Sequence, residues 1–198
     1  MFGDINIDYN KWGYKKLYDI CDVRDGTHES PKYVKEGFPL LTSQNFTNGF
    51  VDFSNANYIS KDDFDSINIR SKVDVGDIVM PMIGTIGSPV IVDTSEEFAI
   101  KNVALIKFKN SKFKAEYVKQ ILDSDYLENV VENSNRGSNR NFISLGDIRN
   151  INILDAPIHL QDEFASYVEE IDKLKFEAGE RKKKAEIEKE NLIDKYFR

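Results

Sequence analysis

The sequence predicts an α/β protein of the α+β type, in which a mixed sheet with flanking helices is followed by one long helix. Two observations carry that prediction. From Trp12 to about Pro157, short Val- and Ile-rich runs are broken by Gly, Pro, Asn and Asp, as strands are broken by turns. From Leu160 onward there is no proline, and apolar residues recur in alternating steps of four and three. The chain therefore divides into a domain over 1–157 and a helical region over 158–198.

The strands come first. The runs FPLLTS (38–43), GDIVMPMIG (76–84), SPVIVD (88–93) and NVALIKFK (102–109) are Val- and Ile-rich and bounded by turn residues. Only a short glycine-bearing connection separates the second from the third, so they should form an antiparallel hairpin. VALIKFK alternates only at its end, which predicts that one or more of these strands are buried on both faces. In KAEYVKQILDSDYLENVVEN (114–133), Tyr117, Val118, Ile121 and Leu122 fall at helical spacing. Ser124 and Asp125 are placed to break this segment into two helices, whose apolar face docks on the sheet.

The C-terminal pattern runs through Leu160, Phe164, Tyr167, Ile171, Leu174, Ala178, Ala185 and Leu192. This is a heptad seam whose expected positions 181 and 188 hold Arg and Glu. As a single rod it would reach roughly 55–60 Å at 1.5 Å per residue. An amphipathic rod of that length wants a partner helix, so self-association or docking to another subunit is expected, and these residues are the candidate dimerisation seam. The alternative is a helix folded back near Gly179.

Composition narrows the function classes. With 198 residues, 40% hydrophobic and 12% aromatic, the chain can bury a core. Cys21 is the single cysteine, so no internal disulfide forms, and a reducing, cytoplasmic location is expected. The most apolar window, Ile78 to Val92, is interrupted by Pro81, Gly84, Gly87 and Pro89 and cannot span a membrane. A net charge of −7 argues against a general DNA coat, but leaves room for a local basic surface. His28 and His159 lack neighbours at metal spacing, GTIG (84–87) lacks the ending of a phosphate loop, and no serine sits in a nucleophile elbow. No metal, cofactor or catalytic centre is expected.

One stretch breaks the acidic trend. NSNRGSNRNFISL (133–145) holds two arginines, four asparagines and three serines without a carboxylate. Arginine suits the O6/N7 edge of guanine, and asparagine the N6/N7 edge of adenine. Asn135, Arg136, Ser138, Asn139, Arg140 and Asn141 are therefore candidate DNA contacts. Their alternative role is a solvated loop before a helix, with Ser144 as N-cap and Asp147 three residues on. Other polar segments join the candidates: Arg24, Asp25, Thr27 and His28, where Asp25-Gly26 is expected to turn the chain; Thr42, Ser43, Gln44 and Asn45; and Lys101 with Asn102.

Four stretches in order carry a family resemblance. ICDVRDGTHESPKYVKEGFPLLTSQN (20–45) resembles the opening of a target-recognition domain in specificity subunits of type I restriction–modification systems. GDIVMPMIGTIG (76–87), NRGSNRNFIS (135–144) and APIHLQDEFASYVEEIDKLK (156–175) are similar to that family's strand–turn element, polar loop and long-helix opening. The resemblance implies a mixed, bent sheet with flanking helices and a coiled-coil helix. It also adds Thr85, in the strand–turn element, to the candidate contacts. Complete members carry two such units with antiparallel helices, whereas this chain has one. Its opening, MFGD, looks like the tail of a preceding helix, so a half-length subunit is expected.

The resemblance also implies a division of labour. A specificity subunit chooses the DNA sequence; a separate modification subunit methylates adenine, and a motor-nuclease subunit cuts. The expected partners are double-stranded DNA, the modification subunit, the motor-nuclease indirectly, and a second copy of the chain, giving a non-catalytic homodimer on an interrupted palindrome. The competing readings are an assembly scaffold with a silent reading domain and a nuclease with a cryptic carboxylate site.

Overall fold

The computed structural model describes residues 12–46, 49–83, 88–134 and 142–197. Strand β1 (Tyr14–Lys16) leads through helix α1 (Leu17–Ile20) into β2 (Asp22–Asp25). Strands β3 (Tyr33–Val34), β4 (Phe38–Leu41) and β5 (Asn57–Ile59) precede helix α2 (Lys61–Ser71). Then come β6 (Ile78–Pro81), β7 (Val90–Ile91), β8 (Ala99–Ile100) and β9 (Val103–Lys107). Helices α3 (Ala115–Leu122), α4 (Asp125–Ser134) and α5 (Leu145–Arg149), strand β10 (Asn152–Leu154) and helix α6 (Ile158–Phe197) complete the chain.

The central sheet has the order β2-β9-β6-β7, antiparallel throughout, and the expected hairpin pairs Val79 with Val90. A second sheet, β3-β5-β4-β8, is mixed because β4 and β8 run parallel. Strands β1 and β10 form a separate antiparallel pair that closes the domain.

Strand β6 is buried at every position, and so is β9 up to Lys107. Pleating explains why alternation is missing from both sequences. Val23, Ile78, Met80, Ala104 and Ile106 face one way, into a core with Tyr117, Val118, Ile121 and Leu122 of α3 and Leu127 and Val131 of α4. Val79, Val90, Val103 and Leu105 face the other way, against Leu41, Phe46, Phe98 and Ile100. Full burial of each such aliphatic side chain stabilises the fold by about 1.5–3 kcal/mol. A third cluster of Leu40, Ile59, Phe64 and Ala99 seats α2 on the second sheet, where Phe38 and Phe64 stack at 4.2 Å.

Helix α2 was not among the sequence expectations, because only Phe64 and Ile67 mark its apolar face. Its start is instead set by Ser60, whose hydroxyl accepts from the Asp63 amide, with Asp62 and Asp63 in the first turn. The break at Ser124 falls where expected: its hydroxyl donates to the Ile121 carbonyl at 2.7 Å, and α4 begins at Asp125.

Helix α6 runs for 40 residues without folding back at Gly179, a rod of about 60 Å. Its first turns dock on α3. Gln161 is buried, accepting from the Lys114 amide at 3.1 Å and donating to the Ala156 carbonyl at 2.8 Å. Phe164 packs into the helix-side core. The exposed part of the seam therefore starts at Tyr167 and continues through Ile171, Leu174, Ala178 and Ala185.

Candidate nucleic-acid interface

Strand register brings the polar segments together. Asp25, the last residue of β2, faces Ala104, and Pro81, the last residue of β6, faces Val103. The end of β2, the start of β9 and the end of β6 thus form one edge of the central sheet. Thr27 donates its amide to the Ile100 carbonyl at 3.0 Å, Asn102 donates to the Thr27 carbonyl at 3.1 Å, and Lys101 donates to the Leu41 carbonyl at 2.9 Å. Candidates from 24–28, 42–45 and 101–102 are thereby drawn to the same edge. Just beyond β6, Ile83 bridges Phe142, and the Ile143 amide donates to the Met82 carbonyl at 3.0 Å.

Asp25-Gly26 does not turn the chain, which corrects the sequence expectation. The Gly26 amide continues the β2 ladder by donating to the Val103 carbonyl at 2.9 Å. Glycine is required there because a β-carbon would collide with the Ile100 carbonyl. The reversal occurs instead between β8 and β9, where Asn102 adopts φ +55°, a conformation that asparagine tolerates better than most residues.

Beneath this edge lies a buried carboxylate. The Asp25 side chain is 7% exposed. One of its oxygens, Oδ2, lies 2.9 Å from His28 Nε2, and the other accepts from Arg70 Nη2. Nδ1 of His28 lies 2.8 Å from Asn102 Oδ1. Both ring nitrogens of His28 therefore have partners within the chain, and Asp25, a candidate DNA contact in the sequence, is a support beneath the surface.

Two other candidates are engaged by partners within the chain, Arg24 at the surface and Asn45 below it. Arg24 donates from Nε and Nη2 to Asp22 at 2.8 and 2.5 Å, and from Nη1 to the Arg70 carbonyl at 2.7 Å. The Asp22 carboxylate holds the Arg24 guanidinium above its ordinary pKa. Asn45 is buried; its amide oxygen accepts from the Thr42 backbone at 2.9 Å, and its nitrogen donates to the Asp52 carbonyl at 2.9 Å. The Thr42 hydroxyl also points at the Asn45 oxygen, at 3.3 Å. Asn45 thus shapes the segment and leaves Ser43 and Gln44 nearer the solvent.

Thr27, His28, Lys101 and Asn102 remain at the surface of the edge, with Lys101 Nζ 2.5 Å from the Ser30 hydroxyl. Thr85, Asn135, Arg136, Ser138, Asn139, Arg140 and Asn141 lie outside the described residues. Downstream of them, Ser144 and Asp147 form the expected capping box, with Asp147 N donating to Ser144 Oγ at 3.0 Å and Ser144 N to Asp147 Oδ2 at 3.2 Å. Arg70 was not foreseen. Its partner, Asp25, is 45 positions away, and no local pattern announces the pair.

Among the described residues, no group of His, Cys, Asp and Glu could hold a metal ion, and no helix is long and apolar enough to cross a membrane.

Residues 9–189 match the family described as Type I restriction modification DNA specificity domain. The fold is similar to a chain from a structural study of complex assembly and conformational transition of the type I R-M system, with TM-score 0.71 and 17% identity, covering 96% of this chain and 46% of that one. It is also similar to the HsdS subunit from Thermoanaerobacter tengcongensis, with TM-score 0.63 and 17% identity, covering 87% of this chain and 40% of that one. The type I restriction-modification S subunit from M. genitalium gives TM-score 0.54 and 13% identity, covering 87% and 41%. This chain thus spans less than half the length of each. No curated protein matches the sequence.

Proposed function

Because this chain belongs to the type I restriction modification DNA specificity domain family, we propose that it chooses the DNA target for a partner adenine methyltransferase and, through the assembled complex, for a motor-nuclease. The chain itself contributes recognition and no catalysis, and acts in the cytoplasm. The observation that carries this reading is the gathering of the 24–28, 42–45 and 101–102 segments at one edge of the central sheet. The flanks of 84–87 and 135–141 meet beside it through Ile83 and Phe142.

At that edge Lys101 suits a phosphate and Asn102 a base edge, and by residue type Asn135, Arg136, Asn139, Arg140 and Asn141 suit base edges in the major groove. A second copy of the chain packs along α6, from Tyr167 through Ile171, Leu174, Ala178 and Ala185 to Leu192, with the two helices antiparallel. That dimer stands in for a complete subunit with two reading units. Identical units related by a two-fold axis present the same residues to both half-sites. The preferred site is therefore an interrupted palindrome, with a spacer set by rod length.

Selection of bound sequences from random duplex DNA, with and without the modification subunit, tests the reading. Enrichment of an interrupted palindrome is expected. An asymmetric site would replace the homodimer with pairing to a different half-subunit. Absence of enrichment in both conditions, with the protein folded and assembled, would favour the scaffold with a silent reading domain.

A further inference from the structure

Arg70 stands in the last turn of α2, outside every segment that sequence reasoning assigned to DNA. The side chain is 64% exposed, yet one end of its guanidinium is anchored on the Asp25 carboxylate, which is 7% exposed. A second tether fixes its backbone, because Arg24 Nη1 donates to the Arg70 carbonyl at 2.7 Å. Both tethers come from β2, the strand whose end forms the edge described above. Arg70 therefore reaches this edge with its position already restricted.

The other cations described there are committed differently. Arg24 has all three guanidinium nitrogens engaged. His28 has both ring nitrogens engaged, and Lys101 turns to Ser30. Arg70 commits one of the two Nη2 hydrogens, which leaves the other to form a two-donor fork with Nη1 or with Nε.

We propose that Arg70 reads a base edge of the DNA, and that Asp25 is the positioning residue that aims it. The inference rests on the reading of this chain as a DNA-recognition subunit, and adds to it a residue and a support. Asp25 offsets part of the charge on Arg70, so what Arg70 offers is direction more than field. A guanidinium held in one plane matches the paired O6 and N7 acceptors of guanine better than it serves as a mobile phosphate counterion. The second oxygen of Asp25 holds His28, and His28 holds Asn102. One buried carboxylate thereby sets the spacing between Arg70, His28 and Asn102.

The test begins with the duplex selected by the full chain, alone or with the modification subunit. Binding is then measured for wild type, Arg70→Lys, Asp25→Asn and the double variant. Lysine keeps a cation beside Asp25, so the fold should survive, and thermal unfolding checks that it does. Arg70→Lys should weaken binding to the preferred duplex by about 5- to 150-fold, the worth of one bidentate base contact. It should leave unchanged the affinity for a duplex in which a single guanine has been replaced. Asp25→Asn should relax preference at that same base pair, and the double variant should bind no more weakly than Arg70→Lys. Unchanged affinity in Arg70→Lys overturns the inference alone. So does an equal loss on every duplex with a shallower salt dependence, which marks a phosphate contact. A wild type that selects no sequence under either condition overturns the recognition reading, and this inference with it.

Discussion

The ring of Phe164 meets that of Tyr117 edge-on, with centroids 5.9 Å apart and planes at 90°. This contact divides the α6 seam into two parts. Phe164 belongs to the core of its own domain, while Tyr167, Ile171 and Leu174 are each at least half exposed. Two kinds of variant should therefore behave differently. Ile171→Asp with Leu174→Asp places charge in the proposed dimer seam and should give a folded monomer. Phe164→Ala should lower domain stability by up to about 3 kcal/mol and leave the dimer in place. Light scattering at tens of micromolar, paired with thermal unfolding, distinguishes them; a wild-type monomer would sink the homodimer.

Arg136 and Arg140 are the strongest sequence candidates for base reading, and each replacement by Ala should weaken specific binding by about 1–3 kcal/mol. A contact to phosphate alone would instead lower affinity uniformly across sequences and reduce the salt slope by about one. Unchanged affinity in both variants, with circular dichroism intact, would leave the loop only its capping role before α5.

Gly26→Ala should damage the interface through the backbone. The new β-carbon meets the Ile100 carbonyl, and that carbonyl also accepts the Thr27 amide. Relief requires separating β2 from the β8–β9 turn, at a cost of about 1–3 kcal/mol for overpacking. Urea denaturation should show the loss, and DNA binding should fall with it, since Lys101 and Asn102 lie in that turn. Wild-type stability in this variant would refute the close approach.

Lys107 predicts how stability responds to acid. Its ammonium donates to Asp74 at 2.9 Å and to the buried Asp77 at 2.5 Å. The hydrogen bond from Lys107 holds the Asp74 carboxyl below its ordinary value. A depressed carboxyl stabilises the fold above its unfolded pKa of about 3.9, and that contribution disappears as pH falls through the folded value. Asp74→Asn keeps the Lys107–Asp77 pair and removes this one contribution. The stability difference between wild type and Asp74→Asn should be constant from about pH 5 to 8 and shrink below about pH 4. A difference that persists unchanged at pH 3 would contradict the assignment.

What the sequence determined by itself was whatever a short window of chain encodes. The unalternated runs in β6 and β9 announce burial on both faces, and the heptad spacing beyond Leu160 announces the rod. Ser124 marks the break between α3 and α4, and Ser144 with Asp147 marks the start of α5. Polar segments suited to DNA were equally visible, because residue type alone says which groups donate and accept. Which of those groups still face outward was decided only by the tertiary structure. Register sets Asp25 against Ala104, and α2 then brings Arg70 to the same carboxylate from 45 positions away. Asn45 turns inward as a strut, since buried polar groups take whatever partner the assembled sheets supply, and Arg24, still partly exposed, is held by Asp22 and the Arg70 carbonyl. Local propensity acts over a few residues, whereas strand pairing joins positions that no window contains.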